Sequence, residues 1–318
     1  MVEVSVIIPN YNHSEFLEQR LNSVFNQSFQ DYEVIILDDA STDASIAILN
    51  NFKNHPKVSH FIVNKQNSGS PFKQWKKGLE LANGKYIWIA ESDDYCDADF
   101  LKKLLELNAK NNNHLDLIYS QSIDVDENET IIENRLSYTA NFLPNIWETD
   151  FVISGEDFIK NYLKVKCVIP NASAVLFKKQ LVTNEVLASG FLDMRICGDW
   201  FFWILISKNA TIGFVSEPLN KFRYHKNVTR RQISFEKQYH RCHEEKLIRD
   251  YLDKHYQLTQ DEEAMVLYEK WFVKNKIANL LKKHFYTVKL KHHSLFNYII
   301  QYFKVHNTWK KFLTKISV

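Results

Sequence analysis

The first third of the chain alternates short apolar runs, rich in β-branched residues, with stretches in which apolar residues recur at helical spacing. The runs predict strands, and the stretches between them predict helices that bury one face. We expect strands at 4–9, 33–37, 58–63 and 86–90, and helices at 13–27 and 43–52. Such alternation is typical of βαβ units around a mostly parallel sheet flanked by helices, which is an α/β fold.

The pattern changes near residue 230. From residue 234 onward, aromatic and aliphatic residues interleave with lysines, and no Gly or Pro interrupts them. Continuous helical periodicity without breakers predicts helices to the end of the chain. We therefore expect an α/β domain at 1–230 and a helical, basic extension at 231–318.

Composition excludes several classes of protein. The chain has 318 residues, 45% of them hydrophobic, and a net charge of +2, so it can form a core and carries no overall charge signal for nucleic acid. Its four cysteines form no CxxC pair, which argues against zinc and disulfide frameworks. No apolar run reaches the roughly 20 residues of a membrane span, and no basic leader opens the chain. We expect a cytoplasmic protein.

An acidic run, Glu91-Ser92-Asp93-Asp94, directly follows the predicted strand 86–90. Ligands of open α/β sheets bind at the carboxyl ends of strands. Three carboxylates at such a place repel one another unless a divalent cation, Mn²⁺ or Mg²⁺, is shared between them and a diphosphate. The alternative is an acidic cap on the next helix.

Two other strand ends carry groups suited to a nucleotide. Asp38 and Asp39 could accept hydrogen bonds from a base or a ribose hydroxyl, and the alternative is again a helix cap. At the first strand end, Pro9 is expected to stop the ladder and Tyr11 to lie against a base, although a simple turn explains both. Together, the three ends predict one nucleotide crevice.

Further candidates lie outside these strand ends. Asp199 opens a very apolar, aromatic helix, surroundings that raise the pKa of a carboxyl and suit a general base; a helix cap is the alternative. Arg223, His225 and Arg230 place donors for a diphosphate in one loop. Lys73 lies on a predicted helix, where phosphate contact competes with a solvated face.

The order and spacing of these motifs resemble family 2 glycosyltransferases with the Rossmann-like GT-A fold. The motifs that carry the resemblance are Pro9-Asn10-Tyr11-Asn12, the run Asp38 to Asp43 and the acidic run, in which Glu91 replaces the family's usual first Asp. The resemblance implies a UDP-type sugar donor and a divalent cation. It assigns Asp93 to ribose or shared coordination, Asp94 to the cation and Glu91 to support. It also places Asp199 at the catalytic base and His225 near the phosphates or metal.

The implied function is inverting transfer of a sugar to a saccharide or lipid-linked saccharide acceptor in cell-surface polysaccharide synthesis. The alternative is a non-catalytic sugar-nucleotide-binding or assembly protein with the same fold. A dinucleotide-dependent oxidoreductase is disfavoured, because no GxGxxG follows the first strand.

The carboxy-terminal region is strongly basic, with eleven lysines after residue 263 against a single acid, Glu269. Trp309, Phe312, Leu313 and Ile316 fall on one helical face, while lysines take the others. This pattern is typical of helices that lie on anionic membranes, and we expect such a contact on the inner face of the membrane. Packing on the catalytic domain or on another copy of the chain is the alternative.

Overall fold

A computed structural model of the chain describes residues 2–225, 234–257 and 261–316. The chain divides into two compact units, Met1–Val228 and Thr229–Val318. Arg230 and the side chains of the predicted apolar face at 309–316 lie outside the described residues. The domain assignment of 1–230 and 231–318 remains a prediction.

The first unit is built on one mixed sheet. Its strands lie in the order β3-β2-β1-β4-β9-β6-β10-β5, while β7 pairs with β6 and β8 with β10. In chain order the strands are β1 Val4–Asn10, β2 Tyr32–Asp38, β3 Val58–Val63, β4 Tyr86–Ile89, β5 Tyr95–Cys96, β6 Leu117–Val125, β7 Ile131–Asn134, β8 Phe151–Ser154, β9 Val175–Lys178 and β10 Thr211–Arg223.

The predicted parallel arrangement holds for half of this sheet. β1 pairs in parallel with β2 and β4, and β2 with β3. β9 then inserts between β4 and β6 and is antiparallel to both. The sequence pattern does not reveal this insertion, because β9 comes late in the chain and pairs with β4 across a long separation. The predicted α/β fold is confirmed, with a mixed rather than mostly parallel sheet.

Helices cover both faces of the sheet. In the first unit they are α1 Ser14–Phe25, α2 Ser45–Phe52, α3 Pro71–Leu81, α4 Phe100–Lys110, α5 Gly155–Phe158, α6 Asn184–Leu187 and α7 Gly198–Ser207. Because side chains alternate along a strand, Val6 and Ile8 face one helical layer, while Ile7 faces α3 on the other side. At Gly78 a Cβ would lie 2.4 Å from the Ile7 side chain, so glycine lets α3 approach β1 closely.

The second unit is helical. Its helices are α8 Phe235–Tyr256, α9 Asp261–Phe272 and α10 Leu295–Ile316, with 3-10 turns at Ile277–Leu281 and Lys283–Val288. Aromatic and aliphatic side chains form its own core, with Tyr268, Phe272, Phe285 and Tyr298 fully buried. Within the described ranges, no helix combines the length and apolarity that crossing a bilayer requires.

Candidate active site

Three loops meet at one edge of the parallel half of the sheet. β1 lies between β2 and β4, and Asn10 at its end is in register with Asp38 at the end of β2. Just beyond the strands, the Asp39 amide donates to the Asn10 carbonyl at 2.9 Å, and the Ala90 amide donates to the Ile7 carbonyl at 2.8 Å. The loops that follow β1, β2 and β4 therefore form one site, at the edge where α/β sheets bind ligands.

Of the acidic run, it is the Asp93 carboxylate that lies beside other side chains able to bind a metal ion. His225 Nε2 lies 3.1 Å from Asp93 Oδ2, and the imidazole of His13 completes the group. One ligand atom from each of these three residues lies within 4.8 Å of the others. His13 Nδ1 also lies 2.8 Å from Ser92 Oγ, which ties the loop after β1 to the acidic run.

The charge state of Asp93 suits a cation ligand. Burial opposes its ionisation, but the charge of His13 and the hydrogen bond from His225 outweigh burial and hold the pKa of Asp93 well below its usual range. A carboxylate that stays ionised beside two imidazoles offers oxygen and nitrogen donors to a divalent ion. We call His13, Asp93 and His225 the His-Asp-His cluster.

Asp94 has a different environment. It is 1% exposed, and its Oδ2 accepts hydrogen bonds from Asn171 Nδ2 and Ser173 Oγ, both at 2.7 Å. Its Oδ1 accepts from the Arg223 amide at 3.0 Å. Burial and the charge of Asp93 raise the pKa of Asp94 to about 7. This geometry argues against the metal assignment of Asp94, because both oxygens already face protein donors.

Replacing Asp94 by Ala is expected to lower the free energy of unfolding by roughly 2 kcal/mol or more, since it leaves three buried donors without an acceptor. Urea titration of the purified variant measures this loss. The matched control is Glu18→Ala, which removes an exposed acid from α1. An Asp94→Ala protein as stable as the control would contradict the proposed structural role.

Glu91 lies beside α3. Trp75 Nε1 donates to Glu91 Oε1 at 2.7 Å, and Arg20 Nε donates to the Glu91 carbonyl at 2.8 Å. Burial and the charge of Asp93 raise the pKa of Glu91 to about 8, while the charge of Arg20 opposes that rise. Arg20 is fully buried, so it acts as an internal counter-charge to the acidic run. These contacts favour the supporting role predicted for Glu91.

Asp38 and Asp39 both lie in internal networks. Asp38 is fully buried and accepts from Asn10 Nδ2 at 2.8 Å and from the amide and hydroxyl of Ser41. Asp39 accepts from Gln74 Nε2 at 2.7 Å and from the amide and hydroxyl of Ser68. The structure thus argues against direct ligand contact by Asp38, which instead joins the ends of β1 and β2. Asp39 links the loop after β2 to the segment before α3.

Tyr11, Pro9 and Lys73 take distinct positions. Tyr11 is 44% exposed in the loop after β1, where its ring is available to a base. Pro9 does not stop the strand: β1 continues to Asn10, because the ladder with β2 persists after the pairing with β4 has ended. Lys73 is exposed in the first turn of α3, with its Nζ 3.2 Å from the Ser68 carbonyl.

Arg223 is buried against the acidic run, so its guanidinium is not exposed to a ligand. It is 2% exposed at the end of β10, and its Nε donates to the Asp93 carbonyl at 3.0 Å. Its guanidinium also reaches the Gln19 side chain and lies 4.7 Å from the centroid of the Phe16 ring. This environment argues against the predicted phosphate contact. Arg223 instead fixes the backbone of the acidic run and directs the chain towards His225.

Asp199 lies in the first turn of α7, as predicted, and is partly exposed. Its Oδ1 accepts a hydrogen bond from the Trp200 amide at 2.7 Å. At the neighbouring Gly198, a Cβ would lie 2.4 Å from the Phe72 ring of α3, so the start of α7 packs against the helix that carries Trp75 and Lys73. Asp199 is thus on the side of the sheet that also supports Glu91.

Several contacts of the candidate site are not predicted from the sequence. His13 begins the helix predicted at 13–27 and is not among the candidate ligands, and neither Asn171 nor Ser173 is among the candidate residues. A histidine directly after the Pro-Asn-Tyr-Asn strand end was a usable signal for His13. Nothing local pointed to Asn171 and Ser173, because they reach Asp94 only through the antiparallel insertion of β9.

Comparison with known proteins is consistent with this architecture. Residues 5–163 match the family described as Glycosyl transferase family 2. Two crystal structures of Staphylococcus aureus TarS share the fold. The structure of residues 1–349 has a TM-score of 0.63 at 17% identity and covers 97% of this chain and 91% of that chain. Its complex with UDP-GlcNAc has a TM-score of 0.62 at 18% identity and covers 87% and 77%.

Two curated relatives each match about a third of the chain. The poly(ribitol-phosphate) beta-glucosyltransferase of Bacillus spizizenii is 33% identical over 118 residues, or 36% of this chain and 19% of that protein. The putative teichuronic acid biosynthesis glycosyltransferase TuaG of Bacillus subtilis is 39% identical over 103 residues, or 32% and 40%. The chain thus spans less than half the length of these relatives. The family match covers half of the chain, and the chain belongs to glycosyl transferase family 2.

Proposed function

We propose that this protein transfers a sugar from a nucleoside-diphosphate sugar, with UDP as the carrier, to a hydroxyl group of a saccharide or lipid-linked saccharide acceptor. The observation that carries the proposal is the His-Asp-His cluster at the sheet edge where the loops after β1 and β4 meet. The similarity to polymer glycosyltransferases, together with a TarS structure that contains UDP-GlcNAc, supports the donor class and a role in cell-surface polysaccharide synthesis.

The His-Asp-His cluster fits a divalent cation by its donor set. One ionised carboxylate and two imidazoles lie close enough to share an ion. A cation held there would offset negative charge on the departing diphosphate. This assignment gives Asp93 the metal role that the sequence analysis gave first to Asp94, and it leaves Asp94 to fix the loop.

Mn²⁺ is expected to support turnover better than Mg²⁺ at equal concentration. Imidazole nitrogen is a poor ligand for Mg²⁺, which prefers oxygen and keeps its waters, whereas Mn²⁺ accepts mixed nitrogen and oxygen donors. Release of nucleoside diphosphate, measured after chelation and re-addition of each ion, tests this order. Equal rates with the two ions would show that the imidazoles are not ligands.

The donor would lie across the loops after β1 and β2. Tyr11 is exposed and can stack on the base, and the network that surrounds Asp39 shapes the floor beneath it. The exposed Lys73 ammonium is near this network and can approach a phosphate. Pro9 and Asp38 would act indirectly: Pro9 is buried within β1, and Asp38 joins the ends of β1 and β2 through Asn10.

Asp199 is the proposed general base. Its carboxylate would take the proton of the acceptor hydroxyl as that oxygen attacks the anomeric carbon. The bond between that carbon and the diphosphate breaks on the opposite face, so the configuration inverts and an α-linked donor gives a β-linked product. Partial exposure at the start of α7 leaves Asp199 accessible to an acceptor.

A screen of sugar nucleotides with Mn²⁺ tests the proposal against a non-catalytic assembly role. The purified chain should release nucleoside diphosphate from one donor, and NMR of the product should show the inverted anomeric configuration. A protein that binds a sugar nucleotide tightly, yet neither hydrolyses nor transfers it with any acceptor extract, would instead be a binding or assembly protein. Retained configuration would refute the role of Asp199.

A further inference from the structure

The second unit exposes apolar side chains that do not pack in its core. Along the segment 273–284, Ile277 is 65% exposed and Leu281 is 93% exposed, and Val273 is also exposed. Leu280, next to Leu281, is partly buried and packs on the core of the unit. The chain therefore directs one leucine inward and the next into solvent. We call residues 273–284 the apolar-basic loop.

This loop has a defined conformation, because hydrogen bonds hold it on the core. Asn275 is buried, and its Nδ2 donates to the Trp271 carbonyl at 2.8 Å. Tyr302 Oη donates to the Asn275 carbonyl at 3.0 Å, and Asn279 Nδ2 donates to Asn275 Oδ1 at 2.9 Å. Tyr286 Oη donates to the Leu280 carbonyl at 2.6 Å. The exposure of Leu281 thus belongs to an ordered turn.

Positive charge surrounds these apolar side chains. The exposed lysines of the loop are Lys274, Lys276, Lys282 and Lys283, and in the described part of the chain none of them has a carboxylate within ion-pair distance. No Asp or Glu occurs anywhere in residues 270–318. The loop thus presents four exposed lysines beside Leu281 and Ile277 and no acid of its own, so a partner for this surface must offer both an apolar interior and negative charge.

We propose that the apolar-basic loop docks on an anionic lipid bilayer, with Leu281 and Ile277 inserted among the acyl chains and the four lysines at the headgroups. Apolar side chains that enter the interface and lysines that face anionic lipids are the two contributions that bind peripheral proteins to membranes. A symmetric contact with a second copy would place lysines against lysines. An anionic polymer would pair with the lysine ammonium groups but leave the Leu281 side chain exposed to water.

Co-sedimentation of the full chain with vesicles tests the proposal. Vesicles of phosphatidylglycerol mixed with phosphatidylcholine should retain the protein, and vesicles of phosphatidylcholine alone should retain little. Leu281→Ser is expected to weaken partitioning by roughly tenfold or more, the effect of one leucine no longer buried. The double variant Lys282→Gln with Lys283→Gln should weaken partitioning by a similar factor and remove about half of its dependence on salt, because two of the four lysines remain.

The first unit offers matched controls. Leu143 is 90% exposed, so Leu143→Ser removes an equally exposed leucine. Lys102→Gln with Lys103→Gln removes two adjacent charges from α4. Both controls should partition like the unmodified chain. The proposal would be overturned if Leu281→Ser partitioned like the unmodified chain, or if the unmodified chain bound neutral vesicles equally well. It would also be overturned if the loop variants lost self-association, measured by light scattering, but kept their binding to vesicles. Donor turnover in solution is independent of all these results.

Discussion

Asp93→Asn is expected to reduce metal-dependent release of nucleoside diphosphate by about 10²–10³-fold, because it removes the only carboxylate of the described His-Asp-His cluster. The side-chain volume is unchanged and His225 keeps a hydrogen-bond partner, so the fold should persist. Initial rates at saturating donor, with Mn²⁺ at the concentration that saturates the unmodified enzyme, measure the effect.

The matched control for this change is Asp97→Asn, which neutralises an exposed acid that pairs with Lys221 at 3.1 Å. Its rate should stay within a few-fold of the unmodified enzyme. If Asp93→Asn turned over donor as fast as Asp97→Asn, the cluster would have no part in the reaction. A parallel loss of thermal stability in Asp93→Asn alone would point to a structural role instead.

Asp199→Asn is expected to lower kcat for transfer by about 10²–10⁴-fold while leaving the dissociation constant for the donor unchanged. The amide keeps the size of the side chain and can still accept from the Trp200 amide, but it cannot take the acceptor proton. Calorimetric titration with donor and single-turnover transfer to acceptor separate the two quantities.

Asp193→Asn serves as the control, since Asp193 is an exposed acid in the segment before α7. A variant at Asp199 that lost donor binding together with transfer would have disturbed the site rather than removed a base. A variant that kept its rate of transfer would require a different base. Either outcome would leave the assignment of Asp93 standing.

The elements of the first third of the chain followed directly from local pattern. The strand ends that bear Tyr11, Asp39 and Asp93 were correctly predicted to share one edge, because parallel strands bring their carboxyl ends together. Continuous apolar runs of the β1 type indicate burial on both faces, and β1 is buried throughout.

The division of roles within the acidic run could not be predicted in the same way. Asp93 and Asp94 are adjacent, and only the long-range contacts of the fold separate them: His225 approaches one, while Asn171 and Ser173 enclose the other. Arg223 illustrates the same limit. Its charge suggested a phosphate contact, but the end of β10 buries it against the backbone of the acidic run.

Pulsed electron paramagnetic resonance of bound Mn²⁺ tests the role of the His-Asp-His cluster, because it detects nitrogen nuclei coordinated to the ion. We expect nitrogen coupling from two imidazoles in the unmodified protein, reduced coupling in both His13→Ala and His225→Ala, and loss of Mn²⁺ binding in Asp93→Asn but not in Asp94→Asn. Mn²⁺ bound without nitrogen coupling, or bound through Asp94 and not Asp93, would contradict that role.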